Sequence, residues 1–218
     1  MSAFKKTERT AITRLPKRGV YEKEMVYAIL DEALVCTVAF VLNGQPFQIP
    51  TGYCRKDDSL YIHGSVGSFY MRELAANKLP VCVSITLIDG LVLARSAFHH
   101  SVNYRSVVMF SHAEKVEDKD ELYEVLELFT NKMQPGRWND IRKPNDGEWK
   151  ATLVLKFKIE EASAKVRTGS PKDDEEDYDL NIWAGVVPLK LERQPIIADP
   201  VLKTGVALPD YLKGNSSI

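Results

Sequence analysis

The eight residues Val35-Cys36-Thr37-Val38-Ala39-Phe40-Val41-Leu42, followed directly by Asn43-Gly44, constrain the fold more than any other stretch. The run is too β-branched and too continuous for a surface helix, so it reads as a buried strand. Asn-Gly tolerates positive φ at both central positions of a tight turn, which sends the chain straight back as a hairpin. A returning strand is predicted over residues 46–55, a second turn at Lys56-Asp57-Asp58 and a third strand over residues 59–63. Three strands joined by two short turns commit this half of the chain to antiparallel sheet.

Around this meander the periodicity changes. Residues 22–33 put Met25, Val26, Ile29, Leu30 and Ala33 on one helical face, after the breaker Lys17-Arg18-Gly19. Gly64-Ser65-Val66-Gly67-Ser68 interrupts the third strand and leads into a helix over residues 69–76. Residues 81–88 read as a strand, with Asp89-Gly90 as a hairpin signal into 91–94. A long strand follows over 103–116. Asp118 opens a helix, with Glu121 three residues later as a capping box. Leu122, Val125, Leu126 and Phe129 form its buried face and Pro135-Gly136 ends it. The last long strand is predicted over 149–160, where Leu153, Leu155, Phe157 and Ile159 alternate with Thr152, Val154, Lys156 and Lys158.

Six or seven antiparallel strands with a few helices predict a mainly β fold, closed into a small barrel that leaves no edge exposed. Residues 1–20 read as an N-terminal arm and 21–170 as the barrel domain. Residues 171–218 hold a solvated acidic loop and a Pro-rich arm that packs on the barrel or on a partner.

A net charge of −1 over 218 residues argues against nucleic acid or an anionic membrane as a partner, since either calls for a basic excess. No stretch reaches the roughly 20 apolar residues of a membrane span, and the basic N-terminus has no apolar secretory core. Cys36, Cys54 and Cys82 are odd in number, widely spaced and lack CxxC, so they read as buried reduced thiols in a cytoplasmic protein.

Three stretches carry donors in patterns that suit chemistry. In the first, Leu60-Tyr61-Ile62-His63-Gly64-Ser65-Val66-Gly67-Ser68, a strand runs through small residues into a helix N-terminus. Such a junction offers free backbone N–H groups to a phosphate; Ser65, Ser68 and Arg72 add side-chain donors. The same pattern also fits an ordinary helix cap, and the GxxxxGK[ST] and GxGxxG spacings are absent. The second is Phe98-His99-His100-Ser101-Val102-Asn103-Tyr104-Arg105-Ser106, which interleaves polar groups, an aromatic and a cation. The third is Ala162-Ser163-Ala164-Lys165-Val166-Arg167 with the later Asn181-Ile182-Trp183-Ala184-Gly185. There Trp183 suits either a packing anchor or a cover for a flat ligand. No third ligand stands at metal spacing beside the histidines, so no metal site is expected.

Together, DSLYIHGS, DGLVLARSAFHHSVNYRSVV, EEASAKVRTG and IWAGVVPL resemble the signature segments of the flavin-nucleotide-binding family related to pyridoxamine 5'-phosphate oxidase and nitroimidazole reductases. The likeness runs in order over roughly residues 9 to 190. It implies an antiparallel, Greek-key-like split β-barrel that forms a homodimer, with one FMN in each of two interface clefts. By position, Ile49, Pro50 and Thr51 would run along the flavin edge. Ile62 and His63 would sit near the ring, and Gly64, Ser65, Ser68 and Arg72 near the phosphate. Asn103, Tyr104, Arg105 and Ser106 would contribute across the cleft, with Lys165, Arg167 and Trp183 close by. Phe69-Tyr70 stand where relatives commonly carry a cation. The implied function is an FMN-dependent oxidoreductase acting on a small substrate, with His63 as proton donor and Arg105 stabilising an anion. Two alternatives are a non-catalytic flavin protein and a haem-binding or haem-degrading protein on the same barrel. The latter needs an axial ligand from His63 or the His99-His100 pair.

Overall fold

The computed structural model describes residues 2–213. The strands are β1 (Gly19–Val20), β2 (Val35–Leu42), β3 (Gln45–Gly52), β4 (Cys54–Lys56), β5 (Ser59–Ser65), β6 (Pro80–Leu93), β7 (Ser101–His112), β8 (Glu114–Lys115), β9 (Thr152–Lys158), β10 (Glu161–Arg167) and β11 (Gly185–Pro188). The helices are α1 (Lys23–Glu32), α2 (Phe69–Asn77), α3 (Lys119–Met133), α4 (Arg137–Asp140) and α5 (Asp146–Ala151). The larger sheet runs β1-β10-β7-β6-β2-β3, with β11 also on β6, and the smaller runs β4-β5-β9-β8. Every pairing is antiparallel.

The hairpin that anchors the sequence reading is present. Asn43 and Gly44 take φ of 51° and 78°, and β2 pairs with β3 along its whole length. Cys36, Val38 and Phe40 face the core, the alternation expected of a strand packed on one face.

Two predicted strands prove to be split between the sheets. The return over residues 46–55 breaks at Tyr53, so β3 stays with β2 while β4 joins β5. Tyr53 is 1% exposed and its hydroxyl donates to the Leu30 carbonyl at 2.6 Å, an anchor under the end of α1 that turns the chain from one layer to the other. The strand over 103–116 breaks in the same way at the fully buried Ala113, and β8 pairs with β9 in the smaller sheet. The three-stranded meander is therefore two hairpin-like pairs in two layers.

Asp89-Gly90 is not a hairpin. β6 runs straight through it with a register shift, and Gly90 lacks the positive φ a tight turn needs. Its glycine serves close approach instead: a Cβ there would stand 3.0 Å from the Val187 carbonyl of β11. Trp149 lies on α5, not on a strand, because Asn145 and Glu148 form a reciprocal capping box that starts a helix ahead of β9.

The main core fills the space between the sheets, α1 and α2, with Val26, Ile29, Leu60, Ile62, Met71 and Phe157 among its fully buried members. A second cluster under α3 holds Cys54, Tyr61, Val116, Val125 and Val154. All three cysteines are free thiols; burial pushes Cys36 and Cys54 up to about 12.

The acidic segment is less solvated than its composition predicts. The Asp173 side chain is fully buried and accepts from the Arg95 backbone N–H at 3.0 Å and from its guanidinium at 2.9 Å. Beyond β11 the chain returns to α3 and α4: Arg193 donates to Gln134 and to the Met133 carbonyl, and Arg137 to the Tyr211 hydroxyl at 3.1 Å. Among the described residues no helix is long and apolar enough to cross a membrane.

Candidate functional site: a histidine cavity and two flavin-type half-sites

Side chains alternate along β5. Leu60 and Ile62 enter the main core, whereas Tyr61 and His63 face α3. The structure thus puts Ile62 and His63, expected side by side near one ring, on opposite faces of their strand.

His63 lines a cavity of about 540 Å³, within the usual size of small-molecule pockets. Its walls are largely apolar: Leu126, Phe129 and Met133 of α3, Trp138 of α4, and Ile141 and Pro144 beyond it. Leu212 closes one side from the C-terminal segment, and the exposed Arg137 and Arg142 also border the space. Arg142 pairs with Glu148 at 2.7 Å. The imidazole meets the Phe129 ring at 4.3 Å between centroids and 81° between planes. Burial lowers the His63 pKa below its ordinary value, with no charged neighbour contributing, so the neutral ring with an available lone pair is favoured.

The residues predicted for a flavin fall into two groups. In the first, Ile49, Pro50 and Thr51 lie on β3 at the edge of the large sheet. The end of β5 and the start of α2 come beside them, since Phe69 packs against Phe47 of β3 at 6.4 Å. Ser65 Oγ accepts the Gly67 N–H at 3.0 Å. Ser68 stands at the N-cap of α2 without a side-chain cap bond. Arg72 is exposed, with Nη1 at 3.4 Å from the Gly67 carbonyl. Gly64 packs on Met71.

In the second group, β7 and β10 set Ser106 opposite Lys165 and Tyr104 opposite Arg167, and Ser106 Oγ donates to the Lys165 carbonyl at 3.3 Å. Asn103 and Arg167 are buried and bonded to each other. Arg105, predicted to meet an anion, is already held by two carboxylates: Asp89 at 2.7 Å and Glu32. Both raise its pKa well above the usual guanidinium range, and the same contact lowers Glu32. Trp183 is 70% exposed and folds over Gly185 at the start of β11. His99 and His100 belong to the loop before β7: His99 pairs with Asp174 at 3.2 Å and His100 bonds the Ser96 carbonyl. Neither lines the His63 cavity.

The order β3-β2-β6-β7 puts the two groups three strand spacings apart, or about 14 Å. One chain therefore brings together the residues within each group and leaves the two groups apart. The sequence reading also passed over Met133, Arg137, Trp138 and Leu212; the one available signal was Arg137-Trp138 directly after the Pro135-Gly136 helix stop.

Comparison with known proteins gives this arrangement its context. The model of the family described as pyridoxamine 5'-phosphate oxidase matches residues 22–166. Among solved structures, the flavocytochrome Anf3 from Azotobacter vinelandii is 38% identical, covering 94% of this chain and 95% of its own, with a TM-score of 0.88. An FAD and haem binding protein from Mycobacterium smegmatis is 36% identical over 92% and 98%, with a TM-score of 0.87. A putative 5-nitroimidazole antibiotic resistance protein from Bacteroides thetaiotaomicron, 22% identical over 68% and 86% with a TM-score of 0.57, shares the fold. No curated protein sequence matches the chain. With two thirds of its length matched by the family model, and the same mainly antiparallel two-sheet architecture, the chain belongs to the pyridoxamine 5'-phosphate oxidase family.

Proposed function

We propose that this protein is a flavin- and haem-binding oxidoreductase, working as a homodimer, in which His63 is the axial ligand of a haem. The observation that carries the reading is the His63 cavity: a neutral imidazole facing a largely apolar space of about 540 Å³. Imidazole is a usual axial ligand for haem iron. The apolar walls suit the macrocycle, and the exposed Arg137 at the border offers a cation to its carboxylates. The named partners of the flavocytochrome and of the FAD and haem binding protein support the same pair of groups. The haem alternative of the sequence reading is thereby joined to the flavin reading, not opposed to it.

For the flavin we propose FAD in place of FMN, on the Mycobacterium smegmatis protein and on a local observation. In the expected phosphate cradle Arg72 is the one cation, exposed and 3.4 Å from the Gly67 carbonyl, and Phe69-Tyr70 stand where relatives commonly carry another, so a mononucleotide's dianionic phosphate has a single charged side chain there. The two separated half-sites support a cofactor held between two copies, each giving one half. Bound together, the two groups supply hydride and one-electron chemistry; this chain's residues bind, orient and shield them. His63 is then a ligand and not a proton donor.

The test is the absorbance spectrum of the purified protein with mass analysis of the extracted cofactors. A Soret band lost in His63→Ala, beside a flavin band whose extract has the mass of FAD, is the expected result. A protein that takes up haem equally well without His63 would sink the axial assignment, and an extract with the mass of FMN would restore the mononucleotide.

A further inference from the structure

Among the described residues neither ring nitrogen of His63 has a hydrogen-bond partner. A ligating histidine is ordinarily held by donating its second N–H to a carboxylate, carbonyl or water. Here the imidazole meets the Phe129 ring, nearly perpendicular at 4.3 Å. Phe129 has its own constraint from behind. Gly52, at the end of β3 just before the chain changes sheets, stands so close that a Cβ there would lie 2.9 Å from Phe129 Cζ and 3.1 Å from Cε2. A contact under 3 Å forces a shift, and a shift of the Phe129 ring changes its contact with His63. Gly52 has no positive φ, so its side chain is missing for space and not for backbone freedom.

We infer that Gly52 and Phe129 are positioning residues for His63: the absent side chain at 52 admits the Phe129 ring, and that ring fixes the plane of the imidazole. This rests on the reading of His63 as a haem ligand. The orientation itself is a property of the protein without haem.

The experiment titrates hemin into the full-length protein and follows the Soret band. In parallel, NMR of the haem-free protein records the His63 ring resonances, identified by their loss in His63→Ala. Gly52→Ala should move the His63 ring resonances, weaken hemin binding at least about tenfold and displace the Soret maximum. Phe129→Ala should also shift both signals. Phe129→Leu in the Gly52→Ala background relieves the clash but still lacks the ring that holds the imidazole, so hemin affinity should stay below that of the parent. Phe129→Leu alone keeps an apolar filler and, if Gly52→Ala does not fold, should by itself move the His63 ring resonances; unchanged resonances there overturn the positioning role. If Gly52→Ala and Phe129→Ala match the parent in ring resonances and in Soret position while His63→Ala loses the band, the positioning role is wrong and the ligand assignment stands. If no hemin binds the parent protein, the ligand assignment fails and the ring resonances alone decide the positioning role: unchanged in Gly52→Ala, they overturn it.

Discussion

Burial holds the His63 pKa below 6.5, so in acid the unfolded chain takes up a proton at this position before the folded chain does. Stability carried by the neutral ring is present above the unfolded pKa and falls as pH drops below it. Thermal melts at a series of pH values should show the parent losing stability below about pH 6.5 more steeply than His63→Phe, with equal slopes counting against the depressed pKa. Lys132 behaves in a related way. Burial brings it down to about 8, with Asp31 opposing, and its ammonium donates to the Leu30 carbonyl over the Tyr53 ring. Between about pH 8 and 10 the unfolded chain keeps a proton that the folded chain releases. The Lys132 contribution to stability therefore rises with pH across that window. Lys132→Met should flatten that rise, and the Leu30 carbonyl keeps the Tyr53 hydroxyl as donor. His63 was legible in the sequence because a histidine at a strand end beside glycine and serine is conspicuous. Phe129 was legible only as one apolar residue of a helix face. Its contact with Gly52 of β3 is a relation that no local pattern encodes.

Helix α3 supplies much of the cavity wall and begins at Asp118, whose carboxylate accepts the Glu121 N–H at 2.8 Å. Asp118→Ala should cost about 1 kcal/mol in denaturant unfolding, with no change in the Soret position, since the cavity residues lie at the far end of the helix. A larger loss with a spectral shift would mean that the cap also sets the register of α3. Local chemistry predicted this helix, α1, α2 and the β2–β3 hairpin because each is decided by its own residues: a cap, an apolar face, an Asn-Gly turn. It failed where the deciding partner was distant. Tyr53 and Ala113 redirect strands between layers because of what packs on them, and Gly90 is a glycine for the sake of β11. Asp173 leaves solvent because Arg95 waits for it across the fold.

At the scale of the molecule, the candidate flavin contacts on β3, β5 and α2 and those on β7 and β10 form two groups, three strand spacings apart in one chain. The proposed dimer predicts a solution mass twice the 24.6 kDa of a single chain, measured by sedimentation with flavin bound. A monomer that retains flavin would require both contacts from one half. The mainly antiparallel β class was legible from strand count and turn chemistry, and the family resemblance ran in order along the chain. The sheet order was not legible, because antiparallel pairing of distant strands leaves no mark in either sequence alone. One of those pairings spans most of the chain. Gly19 and Val20 of β1 find their partners in Lys165 and Ala164 of β10, so the first strand stays unmatched until most of the polypeptide has left the ribosome. Such long-range closure is slow and leaves apolar edges uncovered in the meantime. Native strand pairing therefore stays incomplete until β10 is available, however early the β2–β3 hairpin forms.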